Sequence, residues 1–257
     1  MKLSVLIPVY NEIGTIARIV HAVTRAIPQV EKEIVIVDDN SSDGTGDFLD
    51  RSFGGAEGSC SGVTLRDDGS VELLPLGDAS TGRICFKVFH HRRNRGKGGA
   101  IQTAMAAATG DVMVIQDADL EYDPEDWALM YQLIAVRKVA DVVYGSRFFG
   151  RPHRSLYFHH YLANRLLSLT FNLLYNQLLS DIEVCYKMFT REVMQSLRIT
   201  CEDFGFEVEI SAQIALARRW RIYEMGISYY GRTYDEGKKI SWRDGVKALW
   251  YLLRFRF

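Results

Sequence analysis

The sequence predicts an α/β fold of Rossmann-like type: a single domain whose mostly parallel central sheet carries helices on both faces. Three observations carry this. Short apolar runs rich in β-branched residues recur along the chain, among them "LSVLIPV", "EIVIVDD", "RICFKVFHH", "VMVIQDADL" and "ADVVYGSRF". Helical patterns separate them over about 150 residues. The runs end in polar or charged residues, as buried parallel strands do where they reach a sheet edge.

Taken in order, "LSVLIPV" is the first strand. In "IGTIARIVHAVTRAI", Ile16, Ile19, Val20, Val23 and Ile27 recur at helical spacing. "EIVIVDD" is the second strand. "NSSDGTGDFLD" then opens a helix, because Asn, Ser and Asp side chains accept from free backbone N–H groups. Residues 51–82 break the pattern with a segment rich in Gly, Ser and Asp. Within it "RDDGS" reads as a turn and "SVELLPL" as a short strand, so the segment is expected to be a polar surface insertion, a hairpin. "RICFKVFHH" resumes the sheet. "RNRGKGGAIQTAMAAATGD" gives a basic, Gly-rich turn and an Ala-rich helix ending near Gly110. "VMVIQDADL" is the next strand. "PEDWALMYQLIAVRK" is a helix with Pro124 in its first turn, and "ADVVYGSRF" is a further strand.

Two later segments are more apolar. "HHYLANRLLSLTFNLLYNQLL" is apolar around most of its circumference, with Asn164, Ser168 and Asn172 forming a narrow polar stripe. A buried core helix and a lipid-facing helix both give that pattern. The C-terminal "VKALWYLLRFRF" mixes Trp, Phe and Leu with Arg and Lys, a composition that suits a helix lying in a membrane interface. Residues 1–230 are expected to form the main domain, and 231–257 a C-terminal segment and amphipathic tail.

The totals bound the function. A net charge of -1 gives no bulk attraction to nucleic acid, and none is expected as a partner. The four cysteines form no CxxC pair and have no His at metal-ligand spacing, which points to free thiols in a reducing compartment. "MKLSVLIPVYNE" lacks the features of a signal peptide. No run reaches the roughly 18 apolar residues of a membrane-spanning helix. The expected location is the cytoplasm, with peripheral contact to the inner face of the membrane.

Ligands on parallel sheets bind beyond the carboxyl ends of the strands. There "VIQDADLEYDPED" passes from an apolar strand to a burst of carboxylates. If the strand continues to Asp119, Asp117 and Asp119 project the same way. Two like charges held close call for a cation, and hard oxygen ligands suit Mg²⁺ or Mn²⁺, with Glu121 as a further oxygen. The alternative is a solvated turn in which Asp123 or Asp126 caps the next helix. Asp38, Asp39 and Glu12 follow other strands, and cations cluster in "RNRGKGG", "GSR" and "GRTYDEGKK". The turn around Lys97 would offer bare backbone N–H groups to an anion. Together these groups describe a nucleotide-diphosphate site.

The stretches "SVLIPVYNE", "EIVIVDDNSSDGT", "NRGKGGA", "QDADLEYDPED", "VYGSRF" and "YYGRTYDEGKK" resemble, in this order, the inverting family-2 glycosyltransferases of the GT-A fold. The resemblance is strongest to the group that makes dolichyl- or other polyprenyl-phosphate mannose or glucose. It implies a metal-dependent transfer of a hexose from a nucleotide diphosphate sugar, of GDP-mannose or UDP-glucose type, to a polyprenyl (dolichyl or undecaprenyl) phosphate. It further implies that Pro8, Tyr10, Glu12, Val37 and Asp39 line the base and ribose pocket, and that Asp117 and Ala118 face the nucleotide. Asp119 would ligate the metal with Glu121 and Asp117. Arg147 would face the sugar-phosphate or the acceptor phosphate, with Arg151 and Arg154 nearby. Arg232, with Lys238 or Lys239, would clamp phosphates. Many relatives carry Gln where this chain has Glu121.

A phosphate acceptor needs docking cations, whereas a hydroxyl acceptor needs a general base. In "TCEDFGFEVE", Glu202-Asp203 resembles the "ED" base motif of family-2 enzymes that build polysaccharides, with Asp203 as the base of a saccharide-acceptor enzyme or, alternatively, a helix N-cap or acceptor-site group. Two other rivals are a non-catalytic nucleotide-sugar-binding or scaffold protein and a nucleotidyltransferase. Membrane contact would come from the two apolar segments or from a membrane-protein partner.

Overall fold

The computed structural model describes residues 1–54, 59–74, 82–155, 157–233 and 242–257. The chain opens with β1 (Leu3–Val9), α1 (Ile16–Arg25), β2 (Lys32–Asp38) and α2 (Thr45–Phe53). There follow β3 (Ser59–Cys60), β4 (Gly62–Leu65), β5 (Val71–Leu74), β6 (Ile84–His90), α3 (Gly96–Ala107) and β7 (Val112–Ile115). Pro124–Asp126 forms a tight helical turn with Asp123 capping it, its Oδ1 accepting from the Glu125 N–H at 3.0 Å. That turn leads into α4 (Trp127–Tyr131) and a π-helical turn over Gln132–Val136. The remainder comprises β8 (Val142–Ser146), α5 (Phe158–Tyr175), β9 (Lys187–Thr190), α6 (Arg191–Ser196), α7 (Phe206–Ala217), β10 (Ile222–Gly226) and α8 (Trp242–Arg254).

Among the described residues eight strands form one sheet in the order β10-β8-β9-β7-β1-β2-β6-β3. The pairs β1–β2, β1–β7, β2–β6 and β8–β10 are parallel, whereas β9 and β3 run antiparallel to their neighbours. β1 is buried along its whole length, between β2 and β7, with Val5 opposite Ile34 on one side and Val114 on the other. A strand covered on both faces needs this unbroken apolar run. α1 turns Ile16, Ile19, Val20 and Val23 inward, the stripe its spacing predicts.

The structure alters three expectations of the sequence. The polar insertion does contain a hairpin, β4 against β5 with Val63 opposite Leu73. It is more than a surface excursion, because Cys60 and Val63 are buried in the core and the Val63 carbonyl lies 3.0 Å from His21 Nδ1 on α1. Residues 55–58 and 75–81 of that insertion lie outside the described residues. The Ala-rich helix stops at Ala107 rather than near Gly110, whose N–H is taken by Ser4 Oγ at 2.8 Å. β7 stops at Ile115, so the strand does not continue to Asp119.

All four cysteines are free thiols. Among the described residues no helix is long and apolar enough to cross a membrane.

Candidate active site

β1, β2, β6 and β7 run parallel, so their carboxyl ends share one edge. Beyond β7 the chain leaves the sheet in a turn. Leu120 there has φ +64°, a left-handed conformation that is unfavourable for a bulky side chain and is found where surrounding contacts enforce it. The Glu121 N–H donates to Asp119 Oδ1 at 3.1 Å and closes the turn. The two aspartates therefore come to the edge through a turn rather than by strand alternation, and each has its own cation.

Asp117 Oδ1 lies 2.7 Å from Lys97 Nζ. Lys97 is also 3.5 Å from Glu207 Oε1. Burial opposes its charge, yet the fields of Asp117 and Glu207 hold it protonated well above the ordinary lysine range. Glu207 in turn pairs with the fully buried Lys187. Asp119 Oδ2 lies 3.1 Å from an Arg232 nitrogen, which is also 3.3 Å from Glu12 Oε1. The Arg232 backbone N–H donates to Glu121 Oε1 at 2.7 Å, and the Tyr229 hydroxyl donates to Glu121 Oε2 at 3.0 Å. One guanidinium thus serves Glu12, Asp119 and Glu121. It serves them incompletely: Arg232 Nε is buried without a hydrogen-bond acceptor, 3.6 Å from Glu121 Oε1. Burial, then the charges of Asp117 and Glu121, push the Asp119 carboxyl up to about 7, against the pull of Arg232.

This charge imbalance is the test of whether a metal fits. Asp119 has hard oxygens, sits between two other carboxylates and carries a raised pKa that a divalent cation would lower. The fit requires outside help. Among the described residues no three acidic, His or Cys side chains converge closely enough to hold a metal. Asp117 is engaged by Lys97 and Glu121 by Tyr229 and the Arg232 backbone. A metal on Asp119 would therefore complete its shell with donor phosphates and water, as Mg²⁺ sites commonly do.

The basic turn differs from the anion cradle its glycines suggest. Asp39 Oδ1 accepts from the Arg95 N–H at 2.8 Å, and Oδ2 from the Gly96 N–H at 2.7 Å. His91 Nδ1 bonds Asp39 Oδ1 at 2.6 Å. The anion held by this turn is thus Asp39 itself, buried and turned away from solvent. The glycines answer a close crossing instead. A Cβ at Gly96, where φ is +76°, would stand 2.4 Å from the Glu202 carbonyl oxygen, and one at Gly98 2.2 Å from that of Cys201.

Of the pocket residues, Pro8, Val37 and Ala118 are buried at or near the strand ends, Glu12 is half-buried, and Tyr10 is exposed. Arg147 is forked onto Asp181, Nε to Oδ2 and Nη2 to Oδ1, both at 2.7 Å. Burial opposes both charges, but each partner holds the other ionised. Asn164 of α5 donates to Asp181 Oδ1 at 2.8 Å, and the Arg147 guanidinium sits 5.3 Å from the Tyr229 ring. Arg151 reaches only to 4.0 Å of Asp126, whose Oδ2 accepts from the Ser228 N–H at 2.6 Å rather than capping a helix. Lys238 and Lys239 lie outside the described residues.

Asp203 is tied into the protein, with Lys247 Nζ 3.8 Å from Oδ2. Its carboxylate accepts from the Tyr251 hydroxyl of α8, 3.1 Å from both oxygens, and from the Gly205 N–H at 2.9 Å just ahead of α7.

Sequence reasoning missed His91, Asp181, Glu207 and Tyr229. A signal existed for two of them: Asp181 and Glu207 lie in otherwise apolar stretches, "SDIEVCYKMF" and "FGFEVEISA", where an acid must find a buried cation. Glu183 belongs to the same cluster. One of its oxygens is buried without a partner, and burial and Glu207 push its carboxyl up to about 7.

Known proteins agree with this architecture. The chain is 26% identical over 249 residues to the undecaprenyl-phosphate mannosyltransferase of Micrococcus luteus, covering 93% of this chain and 87% of that one. It is 29% identical over 149 residues to the dolichol-phosphate mannosyltransferase of Pyrococcus furiosus, covering 58% of this chain but only 34% of the relative. Glucosyl-3-phosphoglycerate synthase from Mycobacterium tuberculosis, crystallised with Mn²⁺, UDP and glucosyl-3-phosphoglycerate, shares the fold with a TM-score of 0.65 at 17% identity, covering 99% of this chain and 79% of that one. These neighbours are of the GT-A fold. The family model for glycosyl transferase family 2 matches residues 4–59 and 63–198, and the chain, a glycosyltransferase, belongs to that family.

Proposed function

We propose that this glycosyltransferase moves a hexose, with inversion, from a nucleotide diphosphate sugar of GDP-mannose or UDP-glucose type to a polyprenyl phosphate at the inner membrane face. The observation that carries the acceptor class is the engagement of Asp203. Its carboxylate accepts from Tyr251 and Gly205 and lies 3.8 Å from the Lys247 ammonium, so it serves as a tie between α7 and α8, a structural use that suits an enzyme with no saccharide hydroxyl to deprotonate. A phosphate monoester needs no such base, because its second pKa of about 6 leaves it largely dianionic at neutral pH. The names of the relatives, which act on undecaprenyl and dolichol phosphate, support the same acceptor.

In this reading the donor diphosphate lies over Asp119 and Arg232, and Tyr10 and Glu12 stand at the mouth beside the base and ribose. Pro8, Val37 and Ala118 form the floor. Asp39 acts through the turn it holds, fixing the loop that carries Lys97; Lys97 keeps Asp117 in place. Arg147, oriented by Asp181, turns its Nη1 edge to the acceptor phosphate, and Lys238 and Lys239 assist Arg232. An acceptor phosphate oxygen forms a bond to the anomeric carbon as the bond to the diphosphate breaks. Asp119, with Glu121 or Asp117 in support, would hold Mg²⁺ or Mn²⁺, which when bound would offset the charge of the diphosphate leaving group.

The test is turnover with a panel of UDP- and GDP-sugars and Mg²⁺ or Mn²⁺, with and without polyprenyl phosphate. The expected result is a chloroform-soluble sugar product from one donor, lost in Asp119→Ala and kept within a few-fold in Asp203→Asn. Transfer only to a saccharide, abolished in Asp203→Asn, would reverse the assignment.

A further inference from the structure

Helix α5 is built inside out. Its polar stripe faces the protein: Asn164 bonds Asp181, Ser168 Oγ accepts from the Ile182 N–H, and Asn172 bonds both the N–H and the carbonyl of Leu179. Its leucines face outward. Leu162, Leu166, Leu169 and Leu173 recur at helical spacing on one face and are all more than half exposed, with Phe158 at 75% continuing the stripe. A soluble helix normally shows the opposite arrangement, as α1 does here.

α8 lies beside it. Tyr175 donates to the Leu252 carbonyl and Arg256 to that of Leu174, each at 2.8 Å. α8 too carries apolar side chains outward: Val246, Leu249, Trp250 and Leu253, with Phe257 just beyond. The two helices therefore present adjoining apolar faces, and contiguous exposed patches of this kind mark interaction sites.

The charges indicate what covers them. Phe158–Tyr175 contains no acidic residue and α8 only Asp244, in its first turn; the exposed charges on the two faces, Arg165, Lys247 and Arg254, are all positive, with Lys247 3.8 Å from Asp203. A second copy would bring these like charges together across a two-fold axis. An anionic lipid surface complements them, while Trp250, with Arg254 5.1 Å from its ring, suits the headgroup region.

We propose that the outer faces of α5 and α8 together form a docking surface for a bilayer containing anionic lipid. This deepens the proposed function and rests on it only for where the acceptor lies. The inner side of the same surface holds the acceptor-side groups: Asn164 orients the Asp181–Arg147 pair, and Tyr251 of α8 holds Asp203.

Flotation of the full chain with vesicles free of polyprenyl phosphate tests the docking alone. The vesicles are phosphatidylcholine, without or with phosphatidylglycerol. The chain is expected to float with the anionic vesicles, and Leu166→Glu/Leu173→Glu to weaken that binding roughly tenfold or more. Lys247→Gln/Arg254→Gln should remove the preference for anionic lipid. Melting temperature and nucleotide binding should stay unchanged in both, and Val136→Glu, exposed on another helix, should float like the unaltered chain. Equal flotation of the leucine variant would overturn the proposal. So would an unaltered chain that ignores vesicles but sediments as a dimer that the leucine variant dissociates. Transfer to detergent-dispersed polyprenyl phosphate separates the two readings: if it persists where flotation fails, docking is wrong and the transferase reading stands.

Discussion

Arg147 and Arg232 are given like roles by the sequence: each leads a short basic motif, "GSRFFGRPHR" or "GRTYDEGKK", and both are expected to hold phosphate. The structure separates them. Arg147 meets one carboxylate in a two-point fork, with Asn164 steadying the same carboxylate and Tyr229 beside the guanidinium. Arg232 is spread over Glu12, Asp119 and Glu121, with its Nε unsatisfied. A fork that satisfies both partners is a fixed strut. A cation shared unevenly among three anions can change partners when a ligand brings its own charges. The lesson is that a cation's role at a site follows from how completely its present partners satisfy it.

The largest effect expected from this contrast is on stability at the strut. Asp181→Ala leaves the Arg147 charge buried and uncompensated, and breaking such a pair costs about 3–5 kcal/mol. The urea midpoint should fall accordingly. Glu12→Ala should move it less, because Asp119 and Glu121 still pair with Arg232.

This difference was beyond the reach of the sequence. The strands of the parallel sheet were legible, because strands buried on both faces must be continuously apolar, and the short runs around β1, β2, β7 and β8 are; β6, half-buried and interrupted by Lys87, reads as a strand from its β-branched and aromatic residues. The edge where the site lies was legible for the same reason: it is where those runs turn polar. Partners were not. Asp181 is 34 residues from Arg147, and Arg232 is 113 from Asp119, and no periodicity links positions so far apart. The reversal of α5 was hidden as well, since a helix apolar nearly all round has the same pattern whichever stripe faces in. The turn at Leu120 was missed because nothing in "DADLE" announces a left-handed leucine.

The next effect concerns the carboxylate side of Arg232. Asp119 is raised to about 7 in the folded chain, against an ordinary value of about 3.9 in the unfolded one. Between those values the folded state holds a proton that the unfolded state has released. Its stabilising contribution is therefore complete below about pH 4 and is lost as pH rises to about 7. In EDTA the unaltered chain should lose melting temperature relative to Asp119→Asn between pH 5 and pH 8. Adding Mn²⁺ at pH 8 should restore the unaltered chain and leave the variant unchanged. Glu183 titrates in the same window in both proteins, so the difference between them isolates Asp119.

The smallest effect tests the contrast most directly, by replacing each arginine with lysine. At Arg147 the fork requires two nitrogens in one plane, which lysine lacks, so Arg147→Lys should weaken stability and transfer together. At Arg232 the bonds to Asp119 and Glu12 come from a single nitrogen, and Glu121 is met through the backbone N–H. A lysine ammonium can supply the same point charge. Arg232→Ala should therefore lower kcat/KM by roughly tenfold, equivalent to about 1.4 kcal/mol, and lower the urea midpoint by leaving Glu12, Asp119 and Glu121 without their shared cation, while Arg232→Lys should stay within a few-fold of the unaltered chain with an unchanged urea midpoint. If Arg232→Lys were instead as damaging as Arg147→Lys, Arg232 would be a second fixed fork, and its uneven sharing among three carboxylates would not reflect a readiness to exchange them for phosphate.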